Sequence, residues 1–162
     1  MTLNVITNIL SERSNENLYG IVLHTDSSTM TVCLSANSTE ELQAILDSDS
    51  DKSKENPNYY KCAISEWSYE SYEAELFSEL SKELRLFPDR AQFSEFKRDL
   101  IDSLTNVLKR VKEEVFKRDG DIVTMFVSIT DDDAECIENV SSKLINIDVI
   151  HDLFLQRYEW FK

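Results

Sequence analysis

Apolar residues recur three and four positions apart in several stretches of the chain, the spacing of one face of an α-helix. The longest stretch predicts an amphipathic helix over residues 93–115. Its apolar positions are Phe93, Phe96, Leu100, Leu104, Val107, Val111 and Val115. The same spacing predicts shorter helices over residues 3–13, 42–46, 69–84, 137–144 and 150–161.

Other stretches are rich in β-branched and aromatic residues and predict strands. LYGIVLHT and TMTVCLS, residues 18–25 and 29–35, are separated by a polar turn and predict a β-hairpin. YYKCAIS, residues 59–65, predicts a third strand. IVTMFVSIT, residues 122–130, is apolar at nearly every position and predicts a strand that is buried on both faces.

The predicted order of elements is α-β-β-α-β-α-α-β-α-α. It packs most simply as one α+β domain over residues 1–162, with a single mixed, mainly antiparallel sheet of about four strands flanked by about six helices. DSDSDKSKENPN, residues 47–58, breaks the periodic pattern. We expect this segment to be a mobile acidic loop within the domain rather than a domain boundary.

Polar residues at three helix starts have the chemistry of N-terminal caps. Ser38 precedes Glu41, and Asp132 precedes Glu135, by the three residues that a capping box requires. Ser68 is the predicted cap of the helix that begins near residue 69. That assignment places Glu70 in the first turn, where a carboxylate interacts favourably with the helix dipole.

Composition narrows the class of partner. The 162 residues are 41% hydrophobic, which excludes a disordered chain, and 31 acidic against 17 basic residues give a net charge of −14. This charge opposes binding to nucleic acid or to an anionic membrane, and it favours a basic protein partner. We therefore expect no nucleic-acid or membrane partner.

The cysteines and the first residues predict a soluble, cytoplasmic protein. Cys33, Cys62 and Cys136 are widely spaced in apolar contexts without a CxxC motif, which indicates buried, reduced thiols. A signal peptide begins with a basic region followed by an apolar run, and the first residues, MTLNVITNILSERSNEN, have neither. No stretch approaches the roughly 20 apolar residues that cross a bilayer.

The sequence contains few features that indicate catalytic activity. The chain contains no HExxH, GxSxG or cysteine–histidine signature, so we predict no enzyme activity and no cofactor. Asp131, Asp132 and Asp133 follow the buried strand; they suit a helix start, and the alternative is a magnesium site. A metal-dependent enzyme that uses these aspartates with Glu66 stays open as a less favoured hypothesis.

ISEWSYESYEAEL, residues 64–76, combines carboxylates with aromatic residues. On the predicted helix, Tyr69, Tyr72 and Leu76 share the apolar face. Glu66, Glu70 and Glu73 fall on another side, three and four residues apart, where a cationic partner would relieve their repulsion. Trp67 lies between strand and helix, where it either fills the edge of the core or stands exposed as a binding anchor.

The segments LYGIVLHTD, ANSTEEL, YYKCAISEWSYES and SSKLINIDVIHDLF, in this order, resemble the family known as domain of unknown function 4303 over nearly the whole chain. The residues that carry the resemblance are Tyr19, Thr25, Asp26, Asn37, Thr39, Glu40, Glu66, Trp67 and Asn146. The family brings no established catalytic residue. Small bacterial proteins of this kind resemble, in size and charge, the immunity proteins of contact-dependent or polymorphic toxin systems.

The resemblance implies an inhibitor that binds a cognate, basic, nuclease-like toxin domain stoichiometrically. Acidic residues would complement the basic cleft, and tryptophan would supply contact area. The predicted partner-binding residues are Glu66, Trp67, Glu70, Glu73, Asp131, Asp132 and Asp133. A housekeeping or regulatory binding module for another basic partner is the alternative, and the oligomeric state is left open.

Overall fold

The computed structural model describes residues 1–48, 57–116 and 122–157. Its helices and strands, in chain order, are α1 (Thr2–Glu12), β1 (Leu18–Asp26), β2 (Val32–Ser38), α2 (Thr39–Ser48), α3 (Pro57–Cys62), α4 (Ser78–Leu86), α5 (Phe93–Val115), β3 (Thr124–Thr130), α6 (Ala134–Ile145) and α7 (Asp148–Leu155). Short 3₁₀ turns form at Ile64–Glu66, Ala74–Phe77 and Pro88–Ala91. Within these ranges, no helix is both long and apolar enough to span a membrane.

The strands form one mixed sheet in the order β2-β1-β3. β1 pairs antiparallel with β2, as the predicted hairpin requires, and parallel with β3. The α+β class and the single mixed sheet are confirmed. The sheet has three strands rather than the predicted four or so, and one ladder of each kind.

The predicted strand at residues 59–65 is wrong. These residues lie in α3 and in the 3₁₀ turn Ile64–Glu66. A short apolar run does not distinguish a strand from a buried helical segment. Here the helix begins at Pro57, a residue type whose fixed φ and missing N–H suit the first helical position.

The predicted helix over residues 69–84 begins only at Ser78. Ser71 and Glu73 have φ angles of 51° and 49°, in the left-handed region, which an α-helix cannot include. Ser68 therefore caps no helix, and Glu70 occupies no first turn. Leu76 is 45% exposed instead of facing the core.

The main core lies between one face of the sheet and the helices α1 and α5. Its buried side chains include Val5, Ile6 and Ile9 of α1, Leu104, Leu108 and Val111 of α5, and Ile21, Leu23, Leu34, Met125 and Val127 of the sheet. The predicted helices over residues 3–13 and 93–115 and the predicted buried strand are confirmed. The buried positions follow the predicted apolar faces only in part, although one side of each helix packs on the sheet. Phe93 and Val107 of the predicted face of α5 are 38% and 37% exposed, and Leu108 is buried.

The free edge of β3 is covered by side chains of α6. Asn146, just after α6, accepts from the Met125 N–H at 3.0 Å and donates to the Met125 carbonyl at 2.7 Å. Ser141 Oγ accepts from the Val127 N–H at 2.9 Å. Two polar side chains thus take the place of a neighbouring strand.

This contact explains why the apolar spacing that predicts α6 does not mark its buried face. The helix itself is confirmed, but Val140 and Leu144 are 56% and 55% exposed. The inward face instead carries Glu138, Ser141 and Ser142, which are buried. A helix that packs on a strand edge must present polar groups to unpaired backbone, so its apolar stripe faces outward.

The outer edge of β2 is also paired. The Ala36 N–H donates to the Tyr69 carbonyl at 3.1 Å, and the Tyr72 N–H donates to the Leu34 carbonyl at 2.8 Å. The Val32 N–H donates to Ser81 Oγ at 3.4 Å. Residues 69–72 therefore lie along the sheet, where the sequence predicted a helix.

The two predicted capping boxes have different outcomes. Ser38 Oγ accepts from the Glu41 N–H at 3.2 Å at the start of α2, as expected. At α6 the N-cap residue is Asp133, and no side-chain hydrogen bond caps the helix.

Two predicted segments lie partly outside the described residues. Most of the predicted acidic loop at 47–58 is one of them, although its first residues end α2 and its last begin α3. The final predicted helix is observed as α7, and its last residues are likewise outside.

Candidate protein-binding site

Trp67 is buried at the second face of the sheet, with 4% of its surface exposed. Its indole packs edge-on against the rings of Tyr19 and Phe126, with centroid distances of 6.1 Å to each. Trp67 Nε1 donates to the Lys61 carbonyl at 3.1 Å. Of the two alternatives for Trp67, the structure shows the first: the indole fills the core and is not exposed as a binding anchor.

Tyr19 and Asn37 attach the same segment to the sheet. Tyr19 Oη donates to the Lys61 carbonyl at 2.9 Å and accepts from Asn37 Nδ2 at 3.1 Å. Asn37 Oδ1 accepts from the Ser68 N–H at 3.4 Å. Burial raises the pKa of Tyr19 well above its ordinary value, so the phenol keeps its proton as a donor. These residues carry the family resemblance, and their visible role is structural.

A cavity of about 120 Å³ lies beside this cluster. Tyr19, Cys62, Trp67, Phe154 and Arg157 are among the side chains that line it. Burial raises the pKa of the Cys62 thiol to about 11. The thiol is therefore protonated at neutral pH and is a poor nucleophile.

A buried ion pair joins β3, α6 and α7 at the same end of the molecule. Arg157 Nη2 donates to Glu138 Oε2 at 3.0 Å, and Ser128 Oγ donates to Glu138 Oε1 at 2.6 Å. The Arg157 guanidinium also stacks on Phe154, with Cζ 3.8 Å from the ring centroid. No sequence pattern indicates this pair, because Glu138 and Arg157 are 19 positions apart and Glu138 falls within an apolar pattern.

The carboxylates of residues 66–73 do not form a helical row. Glu70 is exposed, whereas Glu66 and Glu73 are half-buried. Glu73 accepts from Asn8 Nδ2 at 3.0 and 3.1 Å, which ties it to α1. The left-handed backbone at Ser71 and Glu73 turns these side chains in different directions. Of the three, Glu70 is the one most available to a partner.

Asp131, Asp132 and Asp133 are all exposed at the start of α6. Lys97 of α5 bridges two of them, with Nζ 2.9 Å from Asp131 Oδ2 and 2.9 Å from Asp133 Oδ2. The hydrogen bond from Lys97 lowers the pKa of Asp131. An ammonium group therefore occupies the position between the carboxylates that a metal ion would need. Within the described ranges, no group of three or more His, Cys, Asp or Glu residues is arranged to hold a metal.

The two predicted groups of carboxylates belong to opposite edges of the sheet. The segment with Glu70 and Glu73 runs along the outer edge of β2, and Asp131–Asp133 follow β3 at the other edge. The structure therefore offers two separate acidic surfaces where the sequence suggested one set of binding residues.

Both histidines have hydroxyl partners. His24 Nε2 lies 3.0 Å from Ser35 Oγ, and His151 Nδ1 lies 3.2 Å from Ser142 Oγ. Burial lowers the pKa of His24, and the nearby charge of Glu70 opposes that shift. Burial also lowers the pKa of His151. These contacts favour neutral imidazoles with a structural role.

The three cysteines differ in exposure, whereas the sequence predicts that all are buried. All three are free, but Cys136 is exposed on α6, and Cys33 and Cys62 are half-buried. The expectation of three buried thiols is therefore wrong for Cys136. Its position follows from the outward-facing apolar stripe of α6.

The fold and its surface define a small, acidic α+β domain with a three-stranded mixed sheet. The chain belongs to the family described as domain of unknown function (DUF4303), whose model matches residues 1–146. No curated protein and no solved structure matches the chain.

Proposed function

We propose that this protein is an immunity-type inhibitor that binds a cognate, basic antibacterial toxin domain with one-to-one stoichiometry in the cytoplasm. The supporting observation is how the charges are distributed between internal and external contacts. Several cations are held by acceptors within the protein, whereas carboxylates at both edges of the sheet remain exposed.

Internal contacts engage cations from several elements. Lys112 Nζ donates to the Val123 carbonyl at 2.6 Å, and Arg90 Nη1 donates to the Thr29 carbonyl at 3.2 Å and the Leu84 carbonyl at 3.1 Å. Arg157 and Lys97 are bonded to carboxylates as described above. These contacts do not change the net charge of −14, which comes from 31 acidic against 17 basic residues and makes the surface predominantly negative.

Such a surface suits rapid capture of a basic protein. Opposite fields steer the encounter and can raise association rate constants to about 10⁸–10⁹ M⁻¹s⁻¹ at low salt. An inhibitor that protects its own cell gains from fast association because free toxin is harmful before it is bound. The same field repels nucleic acid, so the inhibitor would not be drawn to the substrate of a nuclease.

The test uses the C-terminal domain of the protein encoded immediately upstream, purified as a catalytically inactive variant. We expect a one-to-one complex by light scattering, and protection of cells that express the active domain. The association rate constant should fall about tenfold or more between about 50 and about 500 mM NaCl. The absence of a toxin domain beside the gene, or of any complex between the two purified proteins, would overturn the proposal. If the partner instead proved to be a basic protein without toxicity, the housekeeping binding module would replace it.

A further inference from the structure

Exposed apolar side chains are concentrated on α6 and α7. Five of them are between 55% and 61% exposed: Val140, Leu144, Ile147, Val149 and Leu153. Single exposed apolar residues are common on any protein. A group of this size on two consecutive helices is the kind of patch that marks an interaction site. We call these five residues the α6–α7 surface.

The two helices present this patch continuously. Val140 and Leu144 are four residues apart on α6, and Val149 and Leu153 are four apart on α7, so each pair lies on one side of its helix. Ile147 lies in the connection between the helices. Lys143 Nζ bonds to Asp148 Oδ1 at 2.7 Å and holds the end of α6 to the start of α7.

The exposure of the patch follows from the fold. The inward face of α6 supplies Ser141, and Asn146 follows it, to pair the edge of β3. The inward face of α7 supplies Ile150 and Phe154 to the interior. Val140, Leu144, Ile147 and Val149 have no role in either contact, so packing among the described residues gives no reason for their apolar character. Leu153 also lines the cavity beside Trp67.

Carboxylates surround the patch. The exposed acidic residues on and beside the two helices are Asp131, Asp132, Asp133, Glu135, Asp148 and Asp152. Two lysines bond to these carboxylates: Lys143 of α6 bonds to Asp148, and Lys97 of α5 bonds to Asp131 and Asp133. Six carboxylates against two ammonium groups leave the rim negative. An apolar centre with a charged rim is the usual anatomy of a protein–protein interface. The sign of the rim selects a partner whose rim is basic.

We propose that the α6–α7 surface is the docking face for the basic toxin domain, which would present a small apolar patch surrounded by lysine and arginine. The inference rests on the proposed function and adds the interface to it. A second copy of this chain fits the surface less well, because docking would bring two acidic rims together. Of the predicted binding residues, Asp131–Asp133 belong to the rim of the α6–α7 surface. Glu66, Trp67, Glu70 and Glu73 belong neither to the surface nor to its rim.

The experiment measures binding of the same purified upstream toxin domain to three variants. Leu144→Ser with Leu153→Ser removes apolar contact area, and we expect the Kd to rise about 100-fold through faster dissociation. Glu135→Lys with Asp152→Lys reverses part of the rim, and we expect association about tenfold slower at low salt. The matched control is Leu86→Ser with Glu83→Lys, at an exposed leucine and an exposed glutamate of α4, which should change the Kd less than about twofold.

The outcomes separate the two proposals. Failure of the wild-type protein to bind the toxin domain overturns the proposed function. Wild-type binding that survives both α6–α7 variants unchanged overturns the docking face alone. Sedimentation of the free protein tests whether a second copy of the chain occupies the surface instead. If the wild type is a dimer, and Leu144→Ser with Leu153→Ser dissociates it without altering toxin binding, the surface is a contact between copies. Circular dichroism melts of every variant should match the wild type, since all the changed side chains are exposed.

Discussion

At the scale of single residues, Gly20 determines where Trp67 can lie. A Cβ atom at position 20 would stand 2.8 Å from Trp67 Cη2 and 3.0 Å from Cζ2, closer than carbon atoms approach without displacement. The glycine is needed for this close packing against the strand. The sequence shows a glycine within a strand, but what lies above it depends on a residue 47 positions later in the chain.

We predict that Gly20→Ala lowers the free energy of unfolding by about 1–3 kcal/mol, because the added methyl group overpacks the site. Urea unfolding measures the loss. The emission of Trp67, followed in a Trp160→Phe background, should shift to longer wavelength as the indole moves toward water.

The control is a double-mutant cycle with Trp67→Phe, which removes the atoms that the methyl group would meet. The double variant should be less destabilised than the sum of the single changes. Strict additivity would show that the clash with the indole is not the cause.

At the scale of elements, local periodicity predicted the helices that pack one face on the sheet and the strand that is buried within it. The helices α1 and α5 and the strand β3 have patterns that match their secondary structure, although Leu3, Phe93 and Val107 of the predicted apolar faces are exposed. The region from α3 to Tyr72 does not, because its conformation depends on the carbonyl of Lys61, the edge of β2 and left-handed residues that are not glycine. The same non-local contacts bury Trp67 and keep Glu66, Glu70 and Glu73 from lying on one side of a helix, the arrangement that the sequence predicted.

The contact between α6 and β3 carries a prediction of its own. Asn146→Ala leaves the Met125 N–H and carbonyl without their side-chain partner, so we expect a loss of about 1–3 kcal/mol in the free energy of unfolding. Hydrogen exchange at the Met125 amide should accelerate more than at other β3 amides.

Asn106→Ala on α5 is the matched control, since Asn106 is exposed. It should change stability by no more than about 0.5 kcal/mol. Equal effects of the two substitutions would contradict the edge-pairing role of Asn146.

At the scale of the whole molecule, the family match ends at residue 146, but the core does not. Phe154 is 3% exposed and packs in the cluster of Val22, Trp67 and Phe126. We predict that Phe154→Ala costs about 3–5 kcal/mol and keeps a single unfolding transition, because α7 belongs to the same cooperative unit.

The neighbouring Leu155 is 41% exposed and provides the control. Leu155→Ala should cost much less than Phe154→Ala in the same urea titration. A separate early transition in the Phe154 variant would instead show that α7 unfolds independently of the rest.

The closed edges of the sheet restrict how any partner can be recognised. Backbone groups of β2 already bond to residues 69–72 and Ser81, and those of β3 to Ser141 and Asn146. At these positions a partner cannot extend the sheet by adding its own strand, the mode of recognition known as β-augmentation. Recognition must then rely on the side chains that the helices and loops display. Surface substitutions could therefore change which partner is bound while leaving the hydrogen-bonded framework intact.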